Sequence, residues 1–124
     1  MIASLMMVTF NRLNLTTQTL TDLIRTTTYP FELIIVDNAS QDGTVEFLET
    51  FCQQHAGADK FFKSYHIHKN TENQGIAIAR NQCLKMATGE WLSTLDNDVL
   101  LPLVAQAKEN ARAHYELSQH LKAS

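Results

Sequence analysis

A basic excess is missing from this chain. Ten lysines and arginines stand against thirteen acidic residues over 124 positions, a formal net charge of -3, which excludes the electrostatic footprint of a nucleic-acid surface. Cysteine is nearly absent: Cys52 and Cys83 lie far apart, form no C-x-x-C pair, and are expected as buried reduced thiols rather than as a disulfide or metal site. No apolar run approaches a membrane span, and the stretch Ile2 to Val8 lacks the basic start and the length of a signal peptide. The expectation is an intracellular, cytoplasmic protein, with at most a peripheral seat on the inner face of the membrane. Repeats, low-complexity stretches and linkers are also missing. So are a Gly-x-x-x-x-Gly-Lys phosphate loop, a Gly-x-Gly-x-x-Gly dinucleotide turn, and any Ser-His-Asp or Cys-His signature. His55, His66 and His68 are read as ordinary residues, not as a metal cluster.

What remains is the composition of a soluble globular domain, 44% hydrophobic and 19% charged. A chain this long suits one domain and buries roughly two thirds of its extended surface without staples. Short apolar runs alternate with longer segments of helical period. The first run, Ala3 to Val8, leads past Asn11 and Arg12 into a helix carrying Leu13, Leu20, Leu23 and Ile24, which stops before Tyr29-Pro30 because proline disfavours helix at the residue before it. The second run, Phe31 to Val36, is continuously apolar at its centre, as expected of a strand covered by helices on both faces. Ser40 or Asp42 then caps a helix with Val45, Leu48, Phe51 and Cys52. A weaker run spans Phe61 to Ile67. Gly75 opens a helix with Ile76, Ala79, Cys83 and Leu84, closed near Gly89. The last run is Trp91 to Leu95, and Pro102 suits the first turn of a final helix reaching about Leu121.

Such alternation predicts a mostly parallel sheet with helices on both faces and right-handed crossovers. Ligands of these sheets bind outside the carboxyl ends of the strands, where strand order reverses. That rule selects Thr9 to Arg12, Asp37 to Ser40 and Asp96 to Asp98, each directly after a hydrophobic strand.

Three sites carry chemistry. Asp96 and Asp98 are two carboxylates one residue apart; they repel unless a cation lies between them, and their hard oxygens suit Mg2+ or Mn2+ with substrate phosphates completing the shell. On the residues alone, a solvated turn capping the last helix stands beside that reading. Asp37-Asn38 ends a strand, where it accepts hydrogen bonds from a base or ribose or else forms an Asx turn. Asn73-Gln74-Gly75 turns the backbone into a helix whose amides can face a phosphate, and Arg80 further along reaches an anion or pairs with an aspartate. An ordinary helix start with an exposed arginine is the other reading.

Taken together, Val8-Thr9-Phe10-Asn11-Arg12, Ile34-Ile35-Val36-Asp37-Asn38-Ala39-Ser40-Gln41-Asp42-Gly43-Thr44, Asn73-Gln74-Gly75 with Ala79-Arg80-Asn81, Ala87-Thr88-Gly89-Glu90-Trp91 and Leu95-Asp96-Asn97-Asp98 resemble family 2 glycosyltransferases of the GT-A fold, over about residues 3 to 103. The resemblance implies a single domain over residues 1–124: a three-layer α/β/α sandwich with a mostly parallel sheet in strand order 3-2-1-4, as in nucleotide-diphospho-sugar transferases. It implies a nucleoside-diphosphate sugar as donor, in most members a UDP-sugar, with Mn2+ or Mg2+ as cofactor. Thr9 and Asp37 match positions that contact the base, with Asn11, Arg12 and Asn38 beside them. Gly75 and Arg80 fall near the base and diphosphate, and Asp96 and Asp98 match the metal and sugar-nucleotide motif. The activity implied is transfer of the sugar to an acceptor hydroxyl, with the metal neutralising charge on the leaving group.

The sequence departs from that pattern in two places. Val8 stands where many members have a proline before the threonine. After Asp98 only one helix is visible, whereas family members continue with further strands, an acceptor site and a general base, so the chain is expected to be the donor half of a transferase. A module that binds a nucleotide sugar without transferring it, or a domain serving only assembly, are the alternatives. A fourth strand without later partners is a bare edge, and a homodimer through it, or cover from the last helix, is expected.

Overall fold

A computed structural model describes residues 2–95. It contains β1 (Ala3–Thr9), α1 (Leu13–Thr26), β2 (Phe31–Asp37), α2 (Thr44–His55), β3 (Phe62–Lys69), α3 (Ile76–Met86) and β4 (Trp91–Thr94). The strands form one sheet in the order β3-β2-β1-β4, and every pairing is parallel. The final helix expected from Pro102 and the Asp96-Asn97-Asp98 triplet lie outside the described residues.

The three layers follow from the period of two along each strand. Met7, Leu33 and Ile35 face α1 and α2, where they pack with Leu20, Leu23, Leu48 and Phe51. Met6, Ile34 and Val36 face the other way, onto Ala79 and Cys83 of α3. All seven residues of β2 are buried, as its continuous aliphatic run requires of a central strand covered on both faces. Both cysteines are free and buried.

Element ends differ from the sequence expectation where polar groups take over from apolar ones. β1 and β2 each run one residue further, to Thr9 and Asp37, because these two still form a register pair and hydrogen-bond each other by their side chains at 2.7 Å. Neither cap candidate holds the cap position of α2, which is Gly43 with no side-chain cap hydrogen bond; Asp42 accepts the Thr44 N–H at 3.1 Å from the residue before it. Gly43 supplies the left-handed turn at φ 91°. Ser40 is taken by Asp37 instead.

β4 enters the sheet through a tight approach. A Cβ on Gly89 would lie 2.5 Å from Ser4 Oγ and 2.8 Å from the Ile2 carbonyl oxygen, closer than any side chain tolerates. Gly89→Ala is therefore expected to destabilise the domain by about 2 kcal/mol, as overpacking does, readable from urea unfolding. Past this point Trp91 stacks on Tyr29, ring centroids 5.1 Å apart and 10° from parallel. Among the described residues β4 pairs with β1 alone, so its other edge is the edge of the described sheet.

Candidate functional site

The carboxyl ends of β1 and β2 are sewn together by polar side chains. Asp37 Oδ1 accepts hydrogen bonds from the hydroxyls of Thr9 at 2.7 Å and Ser40 at 2.6 Å, and Oδ2 accepts the Ser40 N–H at 2.8 Å. The Asn11 N–H donates to Ser40 Oγ at 2.8 Å, while Asn11 Oδ1 accepts the Gln41 N–H at 2.6 Å. Asn11 and Ala39 both sit at positive φ, 49° and 67°, a region that asparagine tolerates and that alanine occupies only when its surroundings hold it there. Asp42 completes the seam, since its second oxygen accepts the Leu13 N–H, at the start of α1, at 3.0 Å. The Thr44 hydroxyl first, and then the two backbone donors, hold the Asp42 carboxyl below the usual aspartate value against the opposing effect of burial.

A third loop is tied on by Asn38. Its Oδ1 accepts hydrogen bonds from Asn70 Nδ2 at 2.9 Å and from the Gln74 N–H at 3.2 Å. Asn70 in turn exchanges amide hydrogen bonds with Gln82 of α3, at 2.9 and 3.0 Å. The Gly75 N–H is satisfied by Asn73 Oδ1 at 2.9 Å. Gly75 itself sits at φ 84°, and α3 begins there without a side-chain cap, leaving first-turn amides directed at whatever lies before them.

What lies there is an open cleft of about 510 Å³. Met6, Val8, Thr94 and Leu95 form its floor; Phe10, Arg12 and Asn38 form one side, Gly75, Ile76 and Arg80 the other. The floor spans β1 and β4, between which strand order reverses, the place where open parallel sheets bind ligands. Two guanidinium groups and a helix N-terminus face it, and no carboxylate lines it among the described residues; that suits a planar or multiply charged anion. Cys83 also borders the cleft, but burial pushes its thiol up, and it does not offer a thiolate nucleophile. Cys52 is pushed up to about 12 by burial.

The alternation along the strands divides the residues singled out in the sequence. Arg12, Asn38, Gly75 and Arg80 line the cleft. Thr9 and Asp37, 0% and 1% exposed, lie on the α1/α2 side and hold the loops that carry Phe10, Arg12 and Asn38. Asn11 is exposed, with its side-chain oxygen turned to the β2–α2 loop. Asp96 and Asp98 lie outside the described residues, and Thr94 and Leu95, which lead to them, are in the cleft floor. Among the described residues no three His, Cys, Asp or Glu side chains gather as a metal site. His55 stacks against Phe51, and His68 approaches Gln82.

Sequence reasoning passed over Phe10, Asn70 and Gln82. Phe10 is 45% exposed in the cleft, and its signal was available: a large aromatic directly past a strand end, on the rim that the topology rule selects. The Asn70–Gln82 pair joins residues twelve apart across a strand-to-helix loop and has no local signature.

Residues 4–103 match the model of a family described as glycosyl transferase family 2. The chain belongs to this family. It is 39% identical over 84 residues to the uncharacterized glycosyltransferase YfnE of Bacillus subtilis (strain 168), covering 68% of this chain and 19% of that protein. Among solved structures it is similar to the mannosyltransferase PcManGT from Pyrobaculum calidifontis in complex with GDP-Man and Mn2+, at 30% identity and a TM-score of 0.71, covering 82% of this chain and 29% of that one. It is also similar to S. aureus TarS 1-349 in complex with UDP, at 26% identity and a TM-score of 0.65, covering 79% and 28%. The chain thus spans less than a third of each of these relatives. The glycosyltransferase family match extends across Asp96 and Asp98. No helix among the described residues is long and apolar enough to cross a membrane.

Proposed function

We propose that this chain forms the donor site of a glycosyltransferase, binding a nucleoside-diphosphate sugar together with Mn2+ or Mg2+. The observation that carries the reading is the cleft at the β1/β4 switch point, lined by Arg12, Arg80 and the uncapped start of α3. Similar structures that hold GDP-Man with Mn2+ and UDP support it.

In this reading Phe10 offers its ring to the face of the base, and Asn38 its amide to the base or ribose. Asp37, buried on the α1/α2 side of the sheet, serves the cleft by holding the Ser40 turn. Thr9 and Asn11 fix the loops on either side of it. Arg12, Arg80 and the first-turn amides of α3 meet the diphosphate. The carboxylate pair Asp96 and Asp98 suits a hard divalent cation whose remaining positions phosphate oxygens fill. The cation, when bound, neutralises charge on the departing diphosphate.

Transfer to an acceptor hydroxyl also needs a general base. The described cleft supplies none, so donor binding is assigned to these residues, and transfer to a site completed beyond them. We place the chain in the cytoplasm, where buried free thiols such as Cys52 and Cys83 persist.

The test is thermal unfolding with UDP or GDP, with Mn2+, and with both. A nucleotide at about 100 times its dissociation constant adds about 2.7 kcal/mol, which raises the melting temperature by on the order of 10 °C for a domain of this size. A rise that needs both nucleotide and metal and vanishes in Asp96→Ala is expected. No rise with either nucleotide would overturn the donor reading in favour of an assembly role.

A further inference from the structure

We infer that Glu32 is a positioning residue for the donor cleft: with Ser4 and Gly89 it sets the register of β4 and so fixes where Thr94 and Leu95 stand in the cleft floor. The inference rests on the donor-site reading above.

β4 is the weakly specified strand of the sheet. It has four residues and meets β1 over four register pairs, Ala3↔Trp91 to Met6↔Thr94. Trp91 and Ser93 are half-buried while Leu92 and Thr94 are exposed. Neither face is sealed, so hydrophobic pattern alone specifies the register poorly. A slip of one residue would turn Thr94 out of the cleft floor and displace the following peptide by about 3.3 Å.

The specific lock is polar and lies at the start of the strand. Glu32 is 3% exposed, a carboxylate set directly before the aliphatic run Leu33 to Val36 of β2. It accepts hydrogen bonds from Ser4 Oγ at 2.5 Å, the Thr88 N–H at 2.6 Å, the Thr88 hydroxyl at 3.0 Å and the Gly89 N–H at 3.0 Å. Ser4 Oγ closes the ring by accepting the Gly89 N–H at 2.7 Å. Thr88 and Gly89 join the end of α3 to the start of β4, the two elements that flank the cleft. The lock also excludes neighbouring registers sterically. A one-residue slip would bring Thr88 or Glu90 to the place of Gly89, where any Cβ meets Ser4 Oγ at 2.5 Å and the Ile2 carbonyl at 2.8 Å.

Trp91 makes this measurable, because it is the sole tryptophan of the chain and the first residue of β4. Its emission reports the seat of β4 on Tyr29 directly. Three proteins are compared at a temperature where far-UV circular dichroism shows each folded: wild type, Glu32→Gln, and Leu48→Ala, which opens a cavity under α2 and away from β4. In Glu32→Gln the Trp91 emission is expected to move to the red, and UDP or GDP affinity in the presence of Mn2+ to fall by on the order of tenfold, as the cleft floor shifts. Leu48→Ala is expected to keep both signals. If Glu32→Gln lowers the melting temperature but keeps wild-type emission and affinity, or if Leu48→Ala weakens binding equally, the positioning role is overturned and Glu32 is a stability element only. Should Glu32→Gln fail to fold, Ser4→Ala, which removes one arm of the same ring, is read in the same way. Wild-type chain that binds neither nucleotide with Mn2+ would overturn the donor reading itself, an outcome separate from any difference between variants.

Discussion

Asp37→Ala is expected to cost the domain about 3 kcal/mol and to abolish nucleotide binding. The stability loss follows from what the carboxylate holds: the Thr9 hydroxyl, the Ser40 hydroxyl and the Ser40 N–H. Hydrogen bonds to a charged acceptor contribute about 1.5–3 kcal/mol each, and removing the acceptor strands a hydroxyl on Thr9, which is fully buried. Ser40, once released, gains water and recovers part of the loss. For a domain of this size about 3 kcal/mol lowers the melting temperature by on the order of 10 °C. The binding loss follows from the loops. Ser40 supports the Asn11 turn, and that turn carries Phe10 and Arg12 into the cleft. Urea unfolding and calorimetric titration with UDP or GDP and Mn2+ separate the two effects. A variant that is destabilised as expected yet binds with wild-type affinity would show that the β1–α1 loop keeps its shape without Asp37, and would confine the residue to the fold.

The layer architecture was legible in the sequence because short apolar runs, strongest in β2 and weakest in β3, alternate with segments of helical period. Leu33 to Val36 could only be a strand covered on both sides. The rim was legible for the same reason, since a polar residue directly after such a run has to stand at a strand end. The face was not legible. Thr9 and Asp37 were selected together with Asn38 and Arg12, but the period of two sends Asp37 and Asn38 to opposite sides of the sheet, and only a register fixed in three dimensions says which side holds the cleft. The roles of Ser40 and Asp42 were open for a similar reason: both are competent acceptors, and the β1–α1 loop divides them by presenting the Leu13 N–H to Asp42 and the Asn11 N–H to Ser40. The Ala87-Thr88-Gly89 stretch carried family likeness without any physical meaning in the sequence. Its meaning is Glu32, fifty-six residues away from Thr88, and no local pattern links the two.

That link leads to the second large effect. Glu32→Ala is expected to destabilise the domain by about 3 kcal/mol, because it strands the Ser4 hydroxyl and the Thr88 N–H at the base of β4 and leaves a cavity the size of a carboxylate. Among the described residues the ion pairs are Arg25–Asp22 and Lys69–Glu49, and the Glu32 charge is held there by hydrogen bonds. Burial on its own raises the carboxyl; the donors on Ser4, Thr88 and Gly89 together outweigh it and leave the folded value below the ordinary one. A carboxylate lowered on folding stabilises the native state wherever the unfolded chain is also ionised, above about pH 5, and that contribution is lost as pH falls through the folded value. The difference in unfolding free energy between wild type and Glu32→Gln is therefore expected to be largest near neutrality and to shrink between roughly pH 5 and 3. Asp42, lowered chiefly by the Thr44 hydroxyl, titrates in the same direction. It is exposed, so it adds a smaller slope, and one common to both proteins. Urea unfolding of the pair across this range measures the difference directly. A difference that stays level into acid would mean that the Glu32 carboxyl is already protonated in the fold, and the ring around it would then be a set of neutral hydrogen bonds rather than an anion held without a cation.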